Sequence, residues 1–103
     1  MNAEEIKKII ARELDESKSV SNWHGVSLHE CLVNPTKRNY EDSFNQGEVI
    51  ELWLVLEECP NEKDGYQIVF DEKMHEFGLA LPGNELDLFL GYYGSFLEAL
   101  EGM

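Results

Sequence analysis

The sequence is poor in basic residues and lacks the short motifs that mark most enzymes. It has 8 Lys and Arg against 21 Asp and Glu, which gives a formal net charge of −13 at pH 7. Phosphate backbones and anionic lipids repel such a charge, so the composition argues against nucleic-acid binding and membrane attachment. There is no Gly-rich phosphate loop and no dense Cys or His metal spacing. We therefore expect no metal and no cofactor, and we favour a non-enzymatic protein.

Long apolar segments are also missing. No apolar run approaches the ~20 residues of a membrane span, and the N-terminus lacks the hydrophobic region of a signal peptide. We therefore expect a soluble, cytoplasmic protein in which Cys31 and Cys59 stay reduced in the core. A hydrophobic fraction of 43% is enough for one core, so we predict a single domain over residues 1–103.

The clearest structural signal lies in residues 49–57. Apolar side chains occupy alternate positions there, namely Ile50, Leu52, Leu54 and Leu56. The intervening positions combine Val49, Trp53 and Val55 with the carboxylates of Glu51 and Glu57. This alternation predicts a strand with one apolar face and one partly covered face. Turn residues at 59–65 and 71–76 then separate two further strands, which we predict at 66–70 and 77–81.

The N-terminal part predicts a helix, a strand and a loop. Asn2, with Glu5 three residues later, predicts a capped helix that ends near Ser17 and packs an apolar stripe on the sheet. Residues 27–33 predict a strand that Asn34 and Pro35 end, because proline has no N–H for the ladder. Residues 36–47 then read as a long polar connection.

The C-terminal part has two interpretations. In one, a single helix spans residues 84–100 and tolerates Gly91 and Gly94. In the other, a fifth strand at 86–90 and a loop at 91–94 precede a helix that Ser95 and Glu98 cap; we favour this one. The predicted fold is therefore α+β, an antiparallel sheet of four to five strands in a meander. The N-terminal and C-terminal helices pack on one face of this sheet, and the other face is exposed or used for function.

The negative charge is concentrated in the second half of the chain. Residues 48–103 hold thirteen acids and two bases, whereas residues 1–47 hold eight acids and six bases. Aromatic side chains anchor protein interfaces, and carboxylates favour basic partners. We predict a partner-binding face around Trp53, with the other candidates Glu51, Glu57, Asp71, Tyr92 and Tyr93.

Three functional hypotheses follow. The leading one is a non-enzymatic binding protein that neutralises or escorts a basic protein, a general character that toxin immunity proteins share. The alternative is a chaperone-like or scaffold dimer that pairs through an exposed sheet face or an edge strand. The third is a small-ligand binder or enzyme with a pocket between helix and sheet that joins His29, Cys31 and a carboxylate.

Overall fold

The computed structural model describes residues 2–17, 22–23, 26–27, 32–43, 45, 47–57, 65–83 and 85–102, with 14–17, 22–23 and 26–27 described by backbone alone. The elements in chain order are α1 (Ala3–Ser17), β1 (Asn22–Trp23), β2 (Val26–Ser27), β3 (Leu32–Asp42), β4 (Val49–Glu57), β5 (Gln67–Asp71), β6 (Glu76–Leu81), β7 (Asp87–Gly94) and α2 (Phe96–Gly102). Strands β1 and β2 pair with each other in an antiparallel ribbon. Within the described chain, neither helix has the length and apolar character needed to cross a membrane.

The five long strands close into a barrel in the order β3-β4-β5-β6-β7. The α+β class is confirmed, but the expected open antiparallel meander is wrong. With an odd number of strands in a meander, the first and last run in the same direction, so closure requires one parallel pair. That pair is β3 with β7, in which Tyr40, Glu41 and Asp42 lie opposite Asp87, Leu88 and Phe89. We call this parallel junction the seam.

A buried cluster fills the inside of the barrel. Every long strand contributes to it, through Tyr40, Leu52, Leu54, Val69, Ala80 and Phe89. Side chains that come from all five strands of a closed barrel meet only in its interior. The sheet face that we expected to be exposed or used is therefore the packed interior, and that expectation is wrong.

A second cluster joins both helices to the outer face of the barrel. The helices contribute Ile6, Ile10, Phe96, Ala99 and Leu100, and strands β4, β5 and β6 contribute Val55, Leu56, Ile68, Phe70, Phe77 and Leu79. In α1, Ile6 and Ile10 are one turn apart, so both point to the same side of the helix. Packing of the two helices on one face of the sheet was predicted, and the contacts confirm it.

The predicted caps are present at both helices. Asn2 Oδ1 accepts a hydrogen bond from the Glu5 N–H at 3.0 Å, and Ser95 Oγ accepts one from the Glu98 N–H at 3.1 Å. The strand-then-helix interpretation of the C-terminal part is confirmed, although residues 91–94 belong to β7 and do not form a loop. One further cap joins the two helices, because the Glu13 carboxylate in α1 accepts the N–H groups of Phe96 and Leu97 at 3.2 Å each.

The prediction for residues 27–47 is wrong in its boundaries. Strand β3 continues through Asn34 and Pro35 to Asp42, across most of the segment that we expected to be a loop. Its pairing with β4 is irregular between Leu32 and Thr36. Buried Pro35 lies in that interval, where the missing N–H interrupts no regular ladder.

Strand β4 changes its inward face at Val55. Leu54 pairs with Val69 and Leu56 with Ile68 on β5, so Val55 is one extra residue between them. Leu54 faces the barrel interior, whereas Leu56 packs in the helix-side cluster. The expected alternation holds before this bulge and reverses after it, so Glu51 and Glu57 do not share a face.

Candidate partner-binding surface

Trp53 packs partly buried against the helix-side cluster. Lys37 on β3 lies over its ring, with Nζ 5.2 Å from the centroid. The same ammonium group is 3.7 Å from Glu51 Oε1 and 3.1 Å from Glu72 Oε1. The hydrogen bond to Glu72 raises the pKa of Lys37 above its ordinary value. A base of the chain itself therefore occupies the predicted Trp53 and Glu51 surface.

Glu57 belongs to a polar network at the inner side of the barrel. Its Oε1 is 3.9 Å from Arg38 Nη1, and Arg38 Nη2 is 3.3 Å from Asp87 Oδ2. Asp87 Oδ2 also accepts from Gln67 Nε2 at 2.8 Å, and Gln67 Oε1 accepts from the Tyr40 hydroxyl at 3.0 Å. The network connects β3, β4, β5 and β7. Each of these side chains has a partner within the network, which is typical of polar groups that stabilise a fold.

Asp71 and Tyr92 lie together. The Tyr92 hydroxyl donates to Asp71 Oδ2 at 2.6 Å, while Asp71 Oδ1 accepts the N–H groups of Lys73 and Met74 at 2.9 and 3.3 Å. Asp71 is only 8% exposed. Its carboxylate thus holds the β5–β6 turn and orients Tyr92, a residue that remains 40% exposed.

Alkaline pH should destabilise the protein through Tyr40 and Tyr92. Burial is the first cause that raises both pKa values; the Asp71 hydrogen bond adds to it at Tyr92, and the charge of Asp87 adds to it at Tyr40. A raised folded-state pKa stabilises the protein fully below about pH 10, and this stabilisation is lost as the pH rises further.

Phenolate absorbance and urea unfolding at increasing pH measure this effect. In the most alkaline part of the absorbance titration, one phenol fewer should ionise in the Tyr92→Phe variant. Its free energy of unfolding should also fall less steeply as the pH rises. Tyr93→Phe is the matched control, because it removes the neighbouring phenol. Equal slopes for wild type and Tyr92→Phe would contradict the assignment to Tyr92.

Two open grooves lie along the seam. One, of about 670 Å³, is lined by Asp42, Asn45, Phe89, Leu90, Gly91, Tyr92 and Tyr93. The other, of about 550 Å³, is lined by Glu41, Gly47, Val49, Pro82, Gly83, Glu85, Leu86 and Leu88. The Glu41–Leu88 pair lines the second groove and the Asp42–Phe89 pair lines the first, so the two grooves meet the seam at consecutive positions. None of the described residues that line either groove is Lys or Arg.

Exposed apolar side chains and carboxylates coincide along these grooves. The large hydrophobic residues exposed in the described chain are Val49 at 58%, Met74 at 58%, and Tyr92 and Tyr93 at 40% each. Three of these four line the grooves. We define the seam surface as Glu41, Asp42, Val49, Glu85, Tyr92 and Tyr93. The charges of Asp71, Asp42 and Glu76 all help to raise the pKa of Tyr92, so the phenol lies in a negative field.

The structure thus divides the six predicted residues. Tyr92 and Tyr93 lie on the seam surface, with Asp71 directly behind Tyr92. Trp53 and Glu51 lie together in the Lys37 cluster, and the Val55 bulge places Glu57 in the Arg38 network. Sequence reasoning missed Glu41, Asp42, Val49 and Glu85, because they come from three separate segments. The acidic excess of residues 48–103 includes Glu85, and Val49 is on the mixed face of the predicted strand, but no sequence signal marks Glu41 or Asp42.

A smaller cavity of about 340 Å³ lies between α1 and the β5–β6 hairpin. Its lining includes Glu13, His75 and Glu76, but Glu13 already accepts two N–H groups of α2. His29, Cys31 and Cys59 lie outside the described residues, so the pocket predicted around His29 and Cys31 stays a prediction. Among the described residues, no three His, Cys, Asp or Glu side chains are grouped as metal ligands would be.

The described part of the chain is therefore a closed five-stranded barrel with two packed helices and an acidic, aromatic seam surface. Comparison with protein-family models, curated proteins and solved structures finds no match to the chain.

Proposed function

We propose that this protein is a non-enzymatic binding module that neutralises or escorts a basic protein partner, as toxin immunity proteins do. We further propose that the partner docks on the seam surface. The observation that carries the proposal is that three exposed hydrophobic residues and several carboxylates line two grooves at consecutive positions of the seam. None of the described residues in either lining is Lys or Arg.

The distribution of bases on the barrel favours the seam surface over the Trp53 surface. At Trp53, Lys37 pairs with Glu51 and Glu72, and on the other face of β3, Arg38 pairs with Glu57 and Asp87. An incoming basic partner would have to replace these internal pairs. At the seam it meets Glu41 and Glu85 beside exposed apolar groups, which supply both attraction and buried area.

Tyr93 is the better anchor of the two tyrosines. Tyr92 uses its hydroxyl to bind Asp71 and packs edge-to-face on Phe89, with ring centroids 4.9 Å apart, so its role is to shape the groove. Tyr93 lies beside Gly102 of α2 and offers an exposed ring. Aromatic residues of this kind dominate binding energy when a partner encloses them.

Self-association has less support. Dimerisation through an exposed sheet face would require the face that is covered by the interior cluster of the barrel. A closed barrel also leaves few strand edges for pairing. Sedimentation at high concentration tests it, and a dimer without any bound partner would favour it over the proposed function.

Affinity capture tests the proposed function. The tagged protein is used to capture its partner from a lysate of its own host, and the partner is eluted by raising the salt concentration. Affinity for the purified partner is then measured. Glu41→Gln combined with Glu85→Gln should weaken binding roughly tenfold, which corresponds to about 1.4 kcal/mol, and should reduce the salt dependence.

The matched control combines Glu4→Gln with Glu5→Gln, which removes the same charge from exposed positions of α1. It should change the affinity by less than about twofold. An equal loss in both double variants would mean that overall charge governs binding and would contradict docking at the seam. Recovery of no basic protein would contradict the proposed function.

A further inference from the structure

Strand β7 extends beyond its parallel partner. The β3–β7 pairing ends at Asp42 and Phe89, and the Ser43 N–H then donates to the Phe89 carbonyl at 3.1 Å. Strand β7 continues to Gly94, paired on its other side with β6. Among the described strands, none pairs with residues 90–94 on the seam side. That side of the backbone is a short sheet edge inside an otherwise closed barrel.

The larger seam groove follows this edge. Its lining includes Leu90, Gly91, Tyr92 and Tyr93, and Asp42 and Asn45 form the wall where β3 ends. A chain lying in the groove would therefore occupy the position that β3 would take if it were longer. The backbone of residues 90–93 and the side chains of Tyr92 and Tyr93 line this position. The Asp42 carboxylate, which also accepts from Asn45 Nδ2 at 3.2 Å, lines it too.

We propose that this edge is a strand-addition site for an extended, basic segment of the partner. The inference rests on the proposed function and specifies the kind of ligand that the seam accepts. Added strands gain affinity from main-chain hydrogen bonds and specificity from alternate side chains. The basic character follows from charge complementarity with the Asp42 carboxylate in the groove lining, which has no Lys or Arg among its described residues.

The shape of β7 limits the added segment to a short one. Relative to β6, β7 carries one extra residue at Leu90, between the Ala80–Phe89 and Leu79–Gly91 pairs. It carries another at Tyr93, between the Gly78–Tyr92 and Phe77–Gly94 pairs. Bulges of this kind increase the local twist. A long, flat strand would not follow the edge, whereas a segment of a few residues would, which also protects the edge from unlimited self-pairing.

A short blocked peptide that alternates Lys with Val is a direct probe. Successive N–H groups of an extended chain point to opposite edges of the strand. Two N-methylated versions of the peptide can therefore each block the N–H groups of one edge. One is methylated at every Val nitrogen and the other at every Lys nitrogen. A helix-forming Lys and Ala peptide of equal charge is the control for simple electrostatic attraction.

The parent peptide should bind, and one N-methylated version should bind about tenfold more weakly than the other. Amide hydrogen exchange should slow in residues 90–94 of the protein when the parent peptide is added. Equal binding of all three Lys and Val peptides, equal binding of the helical control, no binding of the parent peptide, or unchanged exchange at 90–94 would each overturn strand addition.

Failure of strand addition can be distinguished from failure of the proposed function. That function is measured with the natural partner and the Glu41 and Glu85 variants. If those variants weaken the natural complex but the peptides show no edge preference, the partner docks at the seam without adding a strand.

Discussion

Replacing Gly78 by Ala is expected to lower the free energy of unfolding by roughly 1–3 kcal/mol, because the barrel interior has no room for a methyl group there. A Cβ at Gly78 would lie 2.8 Å from Cε1 of Phe89 and would also meet the carbonyl oxygen of Gly91. The second contact is with backbone, so no side-chain rotation relieves it. Urea unfolding measures the loss.

The effect of Gly78→Ala should extend to the seam surface. Gly78 lies opposite Tyr92, so a displaced β7 should weaken the hydrogen bond between Tyr92 and Asp71. The Tyr92 phenol should then ionise at lower pH than in the wild type. Gly47→Ala is the control, since Gly47 has a φ of 87° but no neighbour within 4 Å of a Cβ. It should strain the backbone locally and leave the tyrosine titration unchanged. An unaltered titration in Gly78→Ala would contradict the packing argument.

Replacing Asp87 by Ala is expected to lower the free energy of unfolding by roughly 2–3 kcal/mol, because it leaves the buried Gln67 amide without its acceptor. The carboxylate accepts from Gln67 Nε2 at 2.8 Å and from the Gly83 N–H at 3.3 Å. It also pairs with Arg38. Gln67 is 5% exposed, so little water reaches its amide when the acceptor is lost. Urea unfolding again provides the measurement.

Asp87→Asn separates hydrogen bonding from charge. The amide oxygen can still accept from Gln67, while the attraction to Arg38 is lost, so this variant should cost about 1 kcal/mol less than Asp87→Ala. A loss below about 0.5 kcal/mol in Asp87→Ala would show that the network does not hold the seam. If the two variants are equally unstable, the ion pair with Arg38 is the dominant contribution.

The predictable parts of the fold are those with a local signal. Residues 49–57 alternate along their length, and β4 has these boundaries. Asn2 and Ser95 are cap residues, and both helices start beside them. By contrast, residues 36–39 of β3 are exposed and have no apolar member, so a strand there has no inward-facing pattern. Pairing with β4 and burial of Tyr40 make that segment a strand.

Two other features depend on contacts between distant residues. Closure of the barrel pairs Tyr40 with Asp87, and no short-range pattern encodes a parallel pair of this kind. The bulge at Val55 cannot be recognised in the sequence, because Leu54, Val55 and Leu56 are all apolar and all buried. A one-residue shift in the pairing of β4 with β5 therefore still places apolar side chains on both faces. It nevertheless moves Glu57 to the face opposite Glu51.

The candidate site was predictable only in its chemistry. The acidic excess and the Tyr92–Tyr93 pair indicated an aromatic, negatively charged surface. Its position required the tertiary structure, because Lys37, which comes from the presumed loop, occupies the Trp53 cluster. The seam surface combines residues of β3, β4 and β7 with the β6–β7 turn, which only the closed barrel brings together.

The contact between Glu13 and α2 makes the two chain ends depend on each other. Helix α2 has seven residues, which is too short for a helix to persist alone in water. Glu13 supplies acceptors for its first N–H groups, and α1 shares a cluster with its apolar side. Loss of α1 would therefore remove the Glu13 acceptors and part of the packing surface of α2. Tyr93, which lies beside Gly102, would then lose its support, so order at the first residues of the chain controls the shape of a surface formed near its last.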